Sequence, residues 1–578
     1  MSPIRAARAA IEANAAHDDP AIWIDRRSIG INHRSIGIVG FDADAIMARA
    51  EVLEAQGQQG RPLWGQSFAV KDNIDGAGVP TTAACPGFAY TPEHSAHAVQ
   101  RLLDAGALYV GKTNLDQFAT GLVGVRSPYG IPRNVFSAWH VPGGSSSGSA
   151  TAVAAGIVDF ALGTDTAGSG RVPAMFGGIV GLKPTIGSVS STGMVPACRS
   201  IDTISVFAAS VDAALAVARV IAAFDAADPY SRRAPYPHLR RTELPPALRL
   251  GVADIASLCD ASQAHAYARV TAVYDTVPFD LAPFLEIARL LYDGPWVAER
   301  TASLRDIVEH RADILHPTTR LILEAGLARK TIDAFDAFHR LALARRVAED
   351  LFSRVHALLL PTAPTTPSLA DLEADPIGPN SRLGTFTNFV NLCDLAAIAV
   401  PTGTDANGLP TGITVIGPAW SEGRIAGIAD QIHRATTDRV GNTARALPAA
   451  AGPDPVQPDE TALFCIGAHM SGLPLNGQIT ALGGRFVRED QTTPDYRLYA
   501  LGQRPGMLRA ENGGSIAGEV WALPTSAIGA LLAQVPAPLG FGTVILKTGP
   551  YLGFLAESSG VKGHPDITHL GGWRAYVM

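Results

Sequence analysis

The sequence predicts an α/β protein, a sheet wrapped by helices, followed by a smaller and mostly β domain. Three observations lead there. Between Pro62 and about Ala435, short β-rich runs alternate with helical runs, the pattern of a sheet covered by helices. Residues 440–460, VGNTARALPAAAGPDPVQPDE, are rich in Pro, Ala and Gly and lack a periodic apolar face, so they read as a linker. Beyond them, Gly and Pro turns separate short β-runs as far as residue 578. A chain of 578 residues also exceeds the about 250–300 residues at which a single core stops growing. The expected domains are therefore 1–440 and 461–578, joined by 441–460.

Within the first domain, residues 1 to about 60 read as amphipathic helices leading into a core. Gly65–Val70, Ala107–Lys112 and Val158–Gly163 read as strands, and Ala96–Leu103 and Ser147–Ala155 as helices. The segment 212–350 is more helical, with periodic Arg/Ala/Leu-rich stretches such as Thr331–Leu351. After the linker, Ala462–Ile466, Tyr496–Ala500, Gly518–Leu523 and Gly542–Lys547 read as strands.

Composition excludes several classes. With 46 basic and 53 acidic residues the net charge is −7, which gives no field to recruit nucleic acid or an anionic membrane. No apolar run reaches the roughly 18 residues of a membrane span, and the N-terminus has no apolar signal-peptide core. The cysteines, Cys85, Cys198, Cys259, Cys393 and Cys465, are odd in number and show no CxxC spacing, so neither a zinc site nor a disulfide framework is suggested. A reducing cytoplasm is the expected address, and a homodimer the default assembly.

Three segments carry the chemistry. GQSFAVKDNID places Lys71 at the end of a strand, PGGSSSGSA spans residues 142–150, and GTDTAGSGRVPA spans 163–174. Such a density of Gly, Ser and Thr exposes backbone N–H groups to a ligand. A helical run after Arg171 would add further free N–H donors beside Ser169. Amide hydrolysis needs an activated nucleophile and a place for the oxyanion. His94, His97 and His140 follow no triad pattern. A buried lysine can act as the base instead, because desolvation lowers its pKa.

Together, in this order and at these intervals, the three segments resemble the amidase signature family, over about residues 20–435. The resemblance implies a mixed central sheet wrapped by helices. It also implies a triad of Lys71 as base, Ser145 as bridge and Ser169 as nucleophile, with a cis Gly144–Ser145 bond. The implied oxyanion hole is the backbone N–H of Thr166, Ala167, Gly168 and Ser169. Ser147 and Ala167 stand where the family often has Gly, and neither change removes a catalytic group. No metal or organic cofactor is required.

Two further resemblances narrow the substrate. LYDGPWVAER, residues 291–300, resembles the corresponding region of the allophanate hydrolases, which implies that Tyr292 and Arg300 hold a substrate carboxylate. A guanidinium fork suits that task. GLVGVRSPYG, residues 121–130, reads as another pocket wall, with Gly124 letting backbone approach the ligand. GAHMSGLPLNGQI, TTPDYRLYALG, GEVWALP, PAPLGFGTV and ITHLGGWRAYV resemble the C-terminal domain of the same enzymes. The short strands and Gly-rich first loop of this region also resemble a gamma-glutamylcyclotransferase-like barrel. The implied function is hydrolysis of allophanate to ammonia and N-carboxycarbamate, the second domain promoting decarboxylation. A biotin-dependent urea carboxylase is the implied pathway partner. In the second domain the polar candidates are His469, Asn476, Tyr496, Arg497, Glu519 and Arg574, with His469 foremost because it sits in a loop after a strand. The alternative is a broad small-amide hydrolase with a non-catalytic C-terminal binding or scaffold domain.

Overall fold

A ten-stranded mixed sheet organises the larger of two compact units in the computed structural model, which describes residues 2–24 and 41–577. Its strands are β1 (Ser67–Lys71), β2 (Leu108–Thr113), β3 (Phe160–Asp165), β4 (Val180–Lys183), β5 (Thr203–Ala208), β6 (Arg249–Val252), β7 (Asp275–Pro278), β8 (Ala357–Pro361), β9 (Leu395–Thr404) and β10 (Pro410–Pro418). The order is β2-β1-β3-β5-β4-β9-β10-β8-β6-β7. β1 runs parallel to both β2 and β3, β3 antiparallel to β5, and β9 antiparallel to β10. Every residue of β1, β3 and β5 is buried, which explains their near-continuous apolar runs: helices cover both faces.

The strand and helix expectations around the site agree with the structure to within a few residues at each end. The helix Ser147–Ala154, SGSATAVA, is wholly buried, and its small side chains let it sit close to β3. Its residues share a core with Ala6 and Ile46 from the N-terminal helices, with Trp23 from the segment between them, and with Ala69, Val110, Ala161 and Phe207 from the sheet. The helices Pro3–His17 and Ala43–Gln56 account for part of the stretch expected to be helical before residue 60; its residues 25–40 lie outside the described residues.

The second unit holds β11 (Glu460–Cys465), β12 (Arg485–Gln491), β13 (Tyr496–Ala500), β14 (Pro505–Arg509), β15 (Ala517–Pro524), β16 (Leu539–Leu546) and β17 (Gly549–Ala556). Five form a sheet in the order β12-β15-β11-β17-β16, and β13 and β14 form a separate pair. The sheet curls towards its own edge: Thr492, just after β12, bridges to Leu546 at the end of β16. Leu463, Phe464, Phe486, Leu498, Trp521, Val544 and Trp573 fill the interior.

The division of the chain departs from the expected 1–440, 441–460 and 461–578 in two respects. The expected linker is shared out, its residues up to Ala450 belonging to the first unit and those from Ala451 to the second. Ala234–Arg249 also belongs to the second unit, together with everything from Ala451 onward. The cause is electrostatic. Arg240 pairs with Asp459 at 2.7 Å and Glu460 at 3.1 Å, and the Arg241 N–H donates to Asp454 at 2.6 Å. Composition alone does not reveal such a return. Among the described residues, no helix is long and apolar enough to cross a membrane.

Candidate active site

β1 delivers Lys71 into the interior at its C-terminal end, with no exposed surface. Its Nζ lies 2.8 Å from Ser145 Oγ and 2.6 Å from Thr164 Oγ1. Neither partner is charged. Burial pushes the lysine down to about 7, Asp116, Asp202 and Asp165 oppose the shift from a distance, and Arg300 adds to it. A substantial neutral fraction at neutral pH is what a general base requires. Ser145 follows a cis Gly144–Ser145 bond and precedes the helix Ser147–Ala154, while its carbonyl accepts the Asp116 N–H at 3.0 Å.

Ser169 sits in the loop between β3 and the helix Val172–Gly177. Its hydroxyl donates to the Gly121 carbonyl at 3.4 Å. Asp165 and Arg171 hold that loop. Arg171 Nε and Nη2 each donate to the Asp165 carboxylate at 2.9 Å, with both side chains fully buried. Burial alone would raise the Asp165 carboxyl, but Arg171 holds it below its ordinary value. Arg171 Nη2 also donates to the Thr387 carbonyl and Asn391 Oδ1. Gly168 has φ +126° and a Cβ there would fall 2.4 Å from Thr387 Oγ1, so the turn excludes other residues. The Gly168 N–H donates to Asp165 Oδ1 at 3.0 Å. That corrects the expectation for Gly168 as an oxyanion donor, because the carboxylate already takes its N–H. Thr166, Ala167 and Ser169 are left from the expected set.

Arg300 is 1% exposed. Its Nη1 donates to the Ala119 carbonyl at 3.2 Å and to Thr120 Oγ1 at 3.0 Å, and its Cζ lies 5.5 Å from the centre of the Tyr292 ring. Nε and Nη2, the edge that could grip a carboxylate through two hydrogen bonds, are buried with no oxygen or nitrogen acceptor, the Cys198 thiol being their polar neighbour, and the Tyr292 hydroxyl is buried without a partner. Burial raises the Tyr292 phenol, which keeps it a proton donor. Burial opposes the charge on Arg300, but Cys198, Tyr292 and Asp202 act the other way and its pKa is raised. Arg126, also buried, donates to the carbonyls of Thr120 at 2.9 Å and Pro376 at 2.7 Å. Asp116 accepts the N–H groups of Gly124 and Arg126, both at 2.9 Å. Gly124 has a packing role. Its N–H is taken by Asp116, and a Cβ there would fall 2.6 Å from the Gly143 carbonyl and 2.7 Å from Ser147 Cβ. It lets the 121–126 loop seat against the serine loop.

Lys71, Ser145 and Thr164 thus meet at the end of β1 and β3, and the buried Asp165–Arg171 pair holds the loop that carries Ser169. The sequence pattern of the amidase family matches residues 26–426. The chain belongs to the amidase family. This amidase also matches the allophanate hydrolase C-terminal domain over residues 461–578. It is 39% identical to the urea amidolyase of Lachancea kluyveri over 557 residues, 91% of this chain and 30% of that protein. Identity to the urea amidolyase of Saccharomyces cerevisiae (strain ATCC 204508 / S288c) is 40%, over 89% of this chain and 30% of that protein. The chain therefore spans less than a third of the length of these relatives. Among solved structures, Kluyveromyces lactis allophanate hydrolase superposes with a TM-score of 0.77 at 36% identity, covering 100% of this chain and 97% of that one.

In the second unit of the amidase, His469 lines a cavity of about 210 Å³ together with Gln478, Arg504, Gln534, Leu539 and Phe554. The imidazole stacks on Phe554 at 5.0 Å, and its Nε2 lies 3.0 Å from Gln478 Oε1. Burial lowers its pKa, so the ring is neutral at pH 7. Asn476 fixes the loop by donating to the His469 carbonyl at 2.9 Å. The other polar candidates act as supports. Glu519 accepts from the Ser471 N–H, the Ser471 hydroxyl, the Trp521 indole and Arg574. The Tyr496 hydroxyl accepts the Ile545 N–H, and Arg497 donates to the Asn512 carbonyl.

Sequence reasoning missed Asp116, Arg126, Thr164, Asp165, Arg171 and Asp202 as parts of the site. Asp165 and Arg171 lay inside the GTDTAGSGR segment, and their opposite charges six residues apart around a tight loop were a usable signal. Asp202, raised to about 6 by burial, accepts the Thr166 hydroxyl at 2.5 Å, and nothing local in the sequence announces it.

Proposed function

We propose that this chain hydrolyses allophanate, urea carrying a carboxylate on one nitrogen, with Lys71, Ser145 and Ser169 as the relay. The unpartnered edge of Arg300, whose guanidinium lies over the Tyr292 ring, carries the reading, because a buried cationic fork calls for a small planar anion. Matches to the allophanate hydrolase C-terminal domain and to Kluyveromyces lactis allophanate hydrolase support the same substrate.

Arg300 and Tyr292 hold the carboxylate, which presents the terminal amide carbonyl to Ser169. Ser169 Oγ attacks that carbon while its proton passes to Ser145 and the Ser145 proton to neutral Lys71. Backbone N–H groups of Thr166, Ala167 and Ser169 stabilise the oxyanion. The C–N bond breaks, and the proton on Lys71 returns through Ser145 to the departing nitrogen, giving ammonia. Water then attacks the acyl-enzyme by the same relay, releasing N-carboxycarbamate and restoring Ser169. In the second unit, His469 and its cavity take that product and assist its loss of carbon dioxide: one C–N bond breaks, its electrons stay on nitrogen, and a proton gives carbamate. Carbamate decomposes to ammonia and carbon dioxide. An enzyme that carboxylates urea supplies the substrate.

The test is ammonia release from allophanate beside malonamate, biuret and propionamide. Allophanate should lead by orders of magnitude, and Arg300→Lys should lower its kcat/KM about 100-fold while leaving the residual rate on propionamide unchanged. Equal turnover of propionamide and allophanate by the native enzyme would make the chain a broad small-amide hydrolase. For the second unit, His469→Ala should prolong the lifetime of N-carboxycarbamate at alkaline pH without slowing the first release of ammonia.

A further inference from the structure

The helix Ala282–Asp293, which carries Tyr292, flanks a cavity of about 260 Å³. The exposed residues Arg289 and Ser381 line it, and so do Tyr292 and the buried Ala288, Gly384 and Asn388. The cavity therefore reaches from the surface to the ring that the Arg300 guanidinium covers.

Asn388 ties this cavity to the nucleophile loop. Its neighbour Thr387 donates through Oγ1 to the Ala167 carbonyl at 2.6 Å, and the Thr387 carbonyl accepts from Arg171 at 3.1 Å. Asn388 Nδ2 donates to the Ala288 carbonyl at 3.3 Å, one helical turn before Tyr292. That bond fixes which end of the amide is free. Oδ1, in a residue only 6% exposed, is buried without a partner among the described residues, and a buried polar atom left unpaired calls for an explanation. Gly384 leaves space for this amide. A Cβ there would fall 2.5 Å from both Nδ2 and Oδ1 of Asn388, although the Gly384 φ of −78° suits any residue. The glycine is required by the Asn388 side chain, not by the backbone.

The substrate supplies the missing partner. The groups proposed to hold allophanate all donate: Arg300 and Tyr292 to its carboxylate, backbone N–H groups to its carbonyl oxygen. A primary amide also brings two N–H bonds, and a buried site must offer them acceptors. Building on the Arg300–Tyr292 carboxylate site, we propose that Asn388 recognises the scissile amide: its Oδ1 accepts one N–H of the terminal NH2 group and so selects amides over esters. Holding that N–H also fixes the rotation of the NH2 group in the tetrahedral intermediate. Its lone pair is then set for the proton that returns through Ser145, and ammonia leaves.

The test compares an amide with the ester of the same acid, malonamate with monomethyl malonate, on the full chain. The ester oxygen has no hydrogen to give Asn388. Asn388→Ala should lower kcat/KM about 30-fold for malonamate and at most about threefold for the ester, so the amide-to-ester ratio falls about tenfold. Gly384→Ala keeps Asn388 but displaces its amide, so it should lower the ratio in the same direction, and it carries the test if Asn388→Ala folds poorly. An unchanged ratio in either folded variant would overturn the proposal, whatever the absolute rates, and leave Asn388 a structural support. Failure of the allophanate reading would look different. If the native enzyme turned over propionamide as fast as allophanate, propionamide against methyl propionate would still measure Asn388. Arg300→Lys should lower the rates on malonamate and monomethyl malonate together, because both carry the carboxylate.

Discussion

Lys71 and Lys112 enter the interior from adjacent strands, β1 and β2, at neighbouring levels: Val70 is the register partner of Lys112. Neither has any exposed surface. Their surroundings differ. Lys112 Nζ lies 3.2 Å from Asp72 Oδ1 and donates to the Ile74 carbonyl and Thr81 Oγ1. Lys71 meets two hydroxyls, and its carboxylates act only from a distance. One buried lysine therefore sits in an ion pair, and the other has the surroundings that the proposed base needs. Burial alone does not make a catalytic lysine. What matters is that no carboxylate touches the amine, so that desolvation can outweigh the remaining attraction.

The two lysines part most visibly in activity. Lys71→Met and Ser169→Ala should each lower ammonia release on the order of 10⁴-fold or more, because members of a relay act as a unit. The double variant should be scarcely worse than either. A Lys71→Met enzyme within tenfold of the native rate would remove Lys71 from the mechanism. Lys112→Met should fail in a different way. It leaves the Asp72 carboxylate buried without its cation, and breaking one side of a buried pair costs about 3–5 kcal/mol. Chemical denaturation should report that loss, and Lys112→Met with Asp72→Asn should recover much of it. If Lys112→Met unfolds at the native midpoint, the pair is not structural.

The pH profile sharpens the distinction. The base must be neutral to accept a proton, and Lys71 is held at about 7. kcat/KM should therefore fall as pH drops through about 7, approaching tenfold per unit below about 6. An acid limb below pH 5 would assign the titration to a carboxylate instead.

Much of this site was legible because its chemistry is written locally. The GGSSS and GTDTAGS runs present backbone and hydroxyls within a few residues, so short segments sufficed to single out Lys71, Ser145 and Ser169 as the proposed relay. The supports were illegible for the opposite reason. Arg126 donates to the carbonyl of Pro376, Arg171 reaches Asn391, and Arg240 draws Ala234–Arg249 towards Asp459. Each of these contacts joins residues roughly two hundred positions apart, which no local pattern can encode. Tyr292 and Arg300 stand between the two cases. Resemblance named them, whereas neither helical spacing nor charge distinguishes them from packing and surface pairing. The fold was read more easily than the site, since fully buried strands such as β1 and β3 declare themselves by short apolar stretches, Phe68–Val70 and Phe160–Leu162, beside Gly and polar residues.

The finest distinction between the two lysines is thermodynamic. Lys71 is held at about 7 in the fold against an ordinary value of 10.5. Below pH 7 it is protonated in both the folded and unfolded chain, and the full cost of burying its charge opposes folding. Between pH 7 and 10.5 the unfolded chain binds more protons, so stability rises with pH, and above 10.5 the cost vanishes. Methionine carries no such charge. Lys71→Met should therefore melt higher than the native enzyme at or below pH 7, by on the order of 1 °C for each kcal/mol gained in a unit of this size, and the advantage should shrink towards pH 10. The hydroxyls of Ser145 and Thr164 lose a hydrogen-bond partner in the variant, at about 1 kcal/mol each. That offset is independent of pH, so the slope of the difference is the decisive reading rather than its absolute value. Lys183, lowered by burial to about 8, titrates in the same window but is present in both proteins and cancels. Parallel melting curves across pH 6 to 10 would mean that Lys71 has an ordinary pKa in the folded chain, and the contrast with Lys112 would then rest on geometry alone.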